Sequence, residues 1–134
     1  MNKPEVVIIG LGYIGLPTAA LIASSKAIVH GVDINQEVVD TINKGKIHIV
    51  EPALDTAVAS AVKEGFLKAA TTPVEANNYL IVVPTPFKSK NEPDISFVEA
   101  ATRGILQLLK AGDLYIIEST SPVGTTEKMM NLIF

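Results

Sequence analysis

The sequence predicts an α/β domain with a doubly wound parallel sheet, and three observations predict it. Short β-branched runs alternate with stretches of helical spacing along the chain. The runs are apolar almost throughout, as strands buried on both faces require. A glycine-rich turn joins the first run to the first helical stretch, and the second run ends in an acidic residue.

Val6–Ile9 (VVII) is the first strand. Gly10–Gly15 follows it, and a helix runs from about Ile14 to Ser25 with Pro17 in its first turn, where a missing N–H matters little. Ala27–Val32 reads as the second strand. Asn35 is a good N-cap for a helix over Gln36–Lys44, which Gly45 stops. Leu54, Val58, Ala61 and Val62 then fall at helical spacing, with Gly65 ending that helix. Leu67–Ala70 is a short third strand, and Tyr79–Val83 is a fourth, halted by Pro84. Asp94 caps a helix over Ile95–Lys110. Leu114–Ile117 makes the fifth strand, and a last helix begins near Gly124. Right-handed crossovers put helices on both faces and give the strand order 3-2-1-4-5. The full doubly wound pattern has a further strand after the last helix, so the apolar end Leu132-Ile133-Phe134 suggests a C-terminally truncated piece of something longer.

Composition narrows the chemistry. The 134 residues suit one domain over 1–134, and 48% apolar residues with mean hydropathy +0.35 predict a buried interior. Eleven basic residues against fourteen acidic ones give a net charge of −3, which offers no footprint for nucleic acid or an anionic membrane. No apolar run approaches the ~20 residues of a membrane span, and the start has no signal-peptide pattern, so a cytoplasmic setting is expected. There is no Cys. Disulfides, thiolate metal sites and a cysteine nucleophile are thereby excluded from these residues. His30 and His48 join no close acid cluster, and no metal site is expected.

Gly10-Leu-Gly12-Tyr-Ile-Gly15 matches G-x-G-x-x-G after a strand and at a helix start, the context in which the motif binds a dinucleotide. Gly10 permits the tight turn, Gly12 lets a pyrophosphate approach the backbone, and Gly15 lets the helix pack against the strand. Free N–H groups at the helix start, those of Tyr13 and Ile14 included, attract the phosphates. Asp33, 18 residues after Gly15, is placed to accept hydrogen bonds from ribose hydroxyls. With no cation in Ile34-Asn35-Gln36-Glu37, a 2′-phosphate is disfavoured, so the expected cofactor is NAD rather than NADP. These features make the fold Rossmann-type.

Two further segments fall at strand ends on the ligand-binding side of such sheets. Val83-Pro-Thr85-Pro86 ends the fourth strand, and Thr85 offers a hydroxyl there; the same segment also reads as a plain proline turn. Glu118-Ser-Thr120-Ser-Pro-Val-Gly124-Thr-Thr126 ends the fifth, and Thr125 and Thr126 either cap the last helix or face a ligand. Lys88 and Lys90 fall near the same cleft or on a solvated loop, and His30 reads as a packed residue rather than a base.

GLGYIGLPTA, VDIN, IVEPAL, VPTPF, PDISFVEAA and ESTSPVGTTE occur in that order over nearly the whole chain. Together they resemble the N-terminal, NAD-binding part of the UDP-glucose/GDP-mannose dehydrogenase family. The resemblance implies oxidation of the primary alcohol of a UDP-sugar substrate to a carboxylate, with two NAD⁺ and a thioester intermediate. It implies that Tyr13, Ile14, Asp33, Thr85 and Thr126 match positions that contact NAD. Thr120 matches the threonine of S-T-x-P-V-G, near the reacting centre in a supporting catalytic role, associated with a catalytic water. Glu51-Pro52 matches a stretch near the mouth of the cleft. The family's catalytic Cys, Lys and Asn belong to a later domain and have no counterpart here. A homo-oligomer is compatible with this reading. Two other readings stay open: a stand-alone NAD-binding or redox-sensing module, and a Rossmann dehydrogenase of the hydroxyacid type, against which ESTSPVGTT argues.

Overall fold

Four-residue strands of mostly β-branched and aromatic residues build the centre of the molecule. The computed structural model describes residues 3–86, 88 and 92–134. Its strands are β1 (Val6–Ile9), β2 (Val29–Val32), β3 (Leu67–Ala70), β4 (Asn78–Ile81) and β5 (Leu114–Ile117). They form one parallel sheet in the order β3-β2-β1-β4-β5. The helices are α1 (Gly15–Ser24), α2 (Gln36–Asn43), α3 (Leu54–Lys63), α4 (Ser96–Ile105) and α5 (Thr125–Ile133). None is long and apolar enough to cross a membrane.

The two-residue period of the strands divides the core in two. Ile8 and Val29 point to one face, where Leu16, Ala19 and Ala23 of α1, Ile42 of α2 and Val58 of α3 cover them. Val7, Ile9, Tyr79 and Ile81 point to the other, under Val98 and Ile105 of α4 and Met129 of α5. The alanines of α1 let it approach the sheet closely. Gly31 in β2 does the same for Leu11, whose side chain would lie 2.9 Å from a Cβ at that position.

The expected elements are all present, and several have shifted ends; the fourth strand, expected over Tyr79–Val83, runs over Asn78–Ile81. The second strand begins at Val29 because Lys26 turns the chain with φ +69°. The helix expected to reach Lys110 stops at Ile105. The backbone there tightens into turns, with Leu108 N–H donating to the Ile105 carbonyl, and Asp113 accepts from Lys110 N–H. Asn35 caps α2 by accepting Glu37 N–H at 2.9 Å. Asp94 stands two residues before α4 and accepts Ser96 N–H, and hydrogen bonding from the Ser96 side chain and N–H holds its carboxyl below the usual carboxylate range.

Residues 71–77, which carry the chain from β3 to β4, contain no helix. Two side chains from the sheet tie them down. His30 is 9% exposed, and its Nε2 lies 3.0 Å from the Thr72 carbonyl, to which it donates. The Tyr79 hydroxyl accepts Ala76 N–H, and burial pushes its pKa up. His30 is a packing residue, as its place in a strand pattern suggests.

The outer edge of β3 carries its own guard. The Asn43 amide donates to the Ala69 carbonyl and accepts Ala69 N–H, both at 2.8 Å, so one side chain engages both backbone groups of a residue in the edge strand. Asn43→Ala should therefore cost about 1–2 kcal/mol of stability. Urea unfolding would read this as a lower midpoint at unchanged slope, and an unchanged midpoint would show that water satisfies that edge equally well.

Candidate functional site

Five strands end together at one edge of the sheet, and the first connection there is the glycine turn. Gly10 has φ +105°, and a Cβ on it would stand 2.3 Å from the Val82 carbonyl oxygen. Gly15 opens α1 so near the turn that a Cβ would fall 1.7 Å from the Gly10 carbonyl oxygen, where no side chain fits. Gly12 is different: a Cβ there would meet no atom within 4 Å. Its missing side chain leaves open space rather than a packed contact.

That space faces unengaged donors. Among the described residues, the N–H groups of Gly12, Tyr13, Ile14 and Gly15 donate to no acceptor. They stand at the N-terminus of α1, where the helix dipole favours negative charge. Tyr13 and Ile14 turn their side chains outward, 65% and 58% exposed.

Asp33, just beyond β2, braces the turn. Its Oδ2 accepts Leu11 N–H at 3.2 Å and its Oδ1 accepts Asn35 N–H at 3.0 Å. A carboxylate has about four lone-pair sites, so each oxygen retains capacity for a further donor. Asp33 thus holds the first turn and the start of α2 together while remaining able to accept from a ligand.

A cleft of about 320 Å³ gathers most of the residues that the sequence singled out. Gly10, Gly12, Tyr13, Ile14 and Asp33 line one side, and Thr85, Glu118 and Thr120 line the other. Ser119 ties the two strand ends by donating its hydroxyl to the Val83 carbonyl at 2.9 Å. The Thr18 hydroxyl of α1 lies 3.4 Å from a carboxylate oxygen of Glu118, which lines the cleft. Gly15 is not among the lining residues; its missing side chain lets α1 start against the turn, and its N–H joins the unengaged donors there.

Other expected residues lie elsewhere. Thr126 is exposed in the first turn of α5 and is not among the cleft's lining residues. Thr125 is buried and donates to the Pro122 carbonyl at 2.7 Å, while Gly124 stands at the N-cap, so neither threonine caps the helix. Glu51 and Pro52 are exposed and line neither this cleft nor its neighbour. Lys88 is exposed; Phe87 and Lys90 fall outside the described residues.

A second cavity, of about 500 Å³, adjoins the first and shares Gly10, Asp33, Val83 and Pro84 with it. Thr71 and Pro73 wall it on one side; Phe97, Ala101 and Gly104 of α4 wall it on the other. Its lining is almost wholly apolar. Sequence reasoning missed it because it joins a helix face to a loop that no motif marks. The one local signal was Gly104, an isolated glycine inside a helical pattern.

Comparison with known proteins agrees with this architecture. The family model described as "UDP-glucose/GDP-mannose dehydrogenase family, NAD binding domain" matches residues 4–134. The UDP-N-acetyl-D-mannosamine dehydrogenase of Escherichia coli (strain K12) is 62% identical over 129 residues, 96% of this chain and 31% of that protein. The chain therefore spans about a third of the length of such relatives. Among solved structures, the UDP-N-acetyl-mannosamine dehydrogenase from Staphylococcus aureus aligns with TM-score 0.91 and 39% identity, over 97% of this chain and 33% of that one. Its counterpart from Pyrococcus horikoshii aligns with TM-score 0.89 and 42% identity, over 96% and 31%.

The two glycines of the turn should separate experimentally. Gly15→Ala forces a Cβ into the Gly10 carbonyl and should destabilise the fold by about 3 kcal/mol or more. Gly12→Ala should change stability by less than about 0.5 kcal/mol, since nothing is displaced. Thermal unfolding of both variants tests this; equal losses would contradict the geometry.

Proposed function

The chain belongs to the UDP-glucose/GDP-mannose dehydrogenase family as its NAD-binding domain, and from that premise we propose that it serves an enzyme oxidising a UDP-sugar. The proposed substrate is UDP-N-acetyl-D-mannosamine, converted to its uronic acid with two NAD⁺. The name of the Escherichia coli relative supports the choice of sugar. In this reading residues 1–134 are one domain of a longer protein.

The observation that carries the reading is the open space at Gly12 facing four unengaged amides, with the Asp33 carboxylate beside it. A pyrophosphate needs donors and a close approach to backbone, and this turn offers both. The residues present therefore fit NAD. When bound, the cofactor supplies a hydride acceptor at its nicotinamide. Gly10, Gly12 and Gly15 shape the turn, and the amides of Gly12, Tyr13, Ile14 and Gly15 hold the phosphates. Asp33, which lines both cavities, would accept from the adenosine ribose, and the apolar cavity next door would take the base. Thr85 and Thr120 offer hydroxyls on the opposite wall, and Thr120 would orient a water towards the reacting carbon. Thr126 enters only if α5 approaches the ligand more closely than the cleft lining suggests.

The chain has no Cys, so the thiol that a thioester route needs must come from residues beyond these. Supplied with NAD⁺ and UDP-N-acetyl-D-mannosamine, the 134-residue protein should bind the cofactor yet form no NADH. Absorbance of reduced cofactor at high protein concentration measures this. Sustained production that Thr120→Ala abolishes would locate the whole reaction within these residues.

Calorimetry tests the cofactor choice. NADH should bind more tightly than NADPH, because a 2′-phosphate would face the Asp33 carboxylate. Asp33→Ala should weaken NADH binding by about 1–3 kcal/mol. It should also lower stability, since Leu11 and Asn35 lose their shared acceptor. Equal affinities for the two cofactors in the unaltered chain would refute the assignment.

A further inference from the structure

We propose that Gly104 is a specificity-determining residue whose missing side chain keeps room for the adenine base, an inference that rests on the reading of the cleft as an NAD site. Gly104 lies inside α4, one residue before its end. Glycine there weakens the helix relative to nearly any other residue, so something must account for it.

The usual accounts fail. Gly104 is absent from the residues with positive φ, so the backbone does not demand glycine. It is not a helix-ending glycine, which would stand past the last turn in the left-handed region. Close packing does not demand it either, because a Cβ would meet no atom within 4 Å. Gly104 is exposed, and it lines the rim of the apolar cavity of about 500 Å³ that Asp33 shares with the phosphate cleft. Phe97 and Ala101 stand on the same side of that cavity, and Pro73 and Val83 line it too.

The order of groups along the sheet edge then identifies the ligand part. Phosphates at the glycine turn and a ribose at Asp33 leave the base to enter the cavity beyond. A flat aromatic ring with an apolar face suits that lining, and the side chain omitted at Gly104 is volume that the ring uses. The position trades helix stability for binding space.

This trade gives a test in which stability and affinity move in opposite directions. Gly104→Ala and Gly104→Leu both install better helix formers, and each should raise the Tm of the free chain by about 3–5 °C. Affinity for NAD⁺, read by calorimetry, should fall with side-chain size. Gly104→Leu should lose about tenfold or more, and Gly104→Ala less. ADP, which carries the base, should show the same ranking by NMR titration. Nicotinamide mononucleotide, which lacks it, should bind all three proteins alike. Unchanged NAD⁺ affinity in Gly104→Leu would overturn the proposal. So would a fall in both Tm and affinity, since that marks a structural role, or a loss shared equally by nicotinamide mononucleotide. If the unaltered chain bound no NAD⁺, the site reading itself would fail and this inference with it.

Discussion

The contact between the start of α1 and the turn before it governs the rest of the site. With a Cβ on Gly15 only 1.7 Å from the Gly10 oxygen, the chain can close this turn with glycine alone. Closure sets the α1 N-terminus at the end of β1 and leaves the N–H groups of Gly12, Tyr13, Ile14 and Gly15 without acceptors among the described residues. Asp33 then pins Leu11 from the neighbouring strand end, so the turn is fixed from two sides. The donors are pre-arranged before any ligand arrives, and preorganisation of this kind reduces the cost of binding.

Much of this was legible in the sequence because it is local. A glycine motif, a β-branched run and an acidic residue at fixed spacing each state their geometry within a few residues. The bounds of β1, β3 and β5 follow from the apolar runs in the same way. The end of α4 did not follow, because apolar spacing continues through Leu108 and Leu109 after the backbone has turned at Ile105. Those two leucines pack into the core from a turn, and periodicity cannot tell that from a helix. Thr126 was carried over by resemblance, and its place on an exposed turn of α5 depends on how Gly124 and Pro122 start that helix.

The second cavity was illegible for a different reason. It lies between α4 and residues 71–77, which run from β3 to β4 without a helix. His30 and Tyr79 hold that crossing in place through one hydrogen bond each to its backbone. Neither residue carries a motif, yet together they fix the wall that Thr71 and Pro73 present. Packing residues thus shape half of the candidate site at a distance.

The central claim is that the unengaged amides of the glycine turn hold a dinucleotide's phosphates. An amide-resolved NMR titration of the ¹⁵N-labelled chain with NAD⁺ tests it most directly. The account predicts that the resonances of Gly12, Tyr13, Ile14 and Gly15 shift most, with Leu11 and Asn35 responding through Asp33. Saturable binding with those amides unmoved, and the largest shifts in α2 or α3, would contradict it.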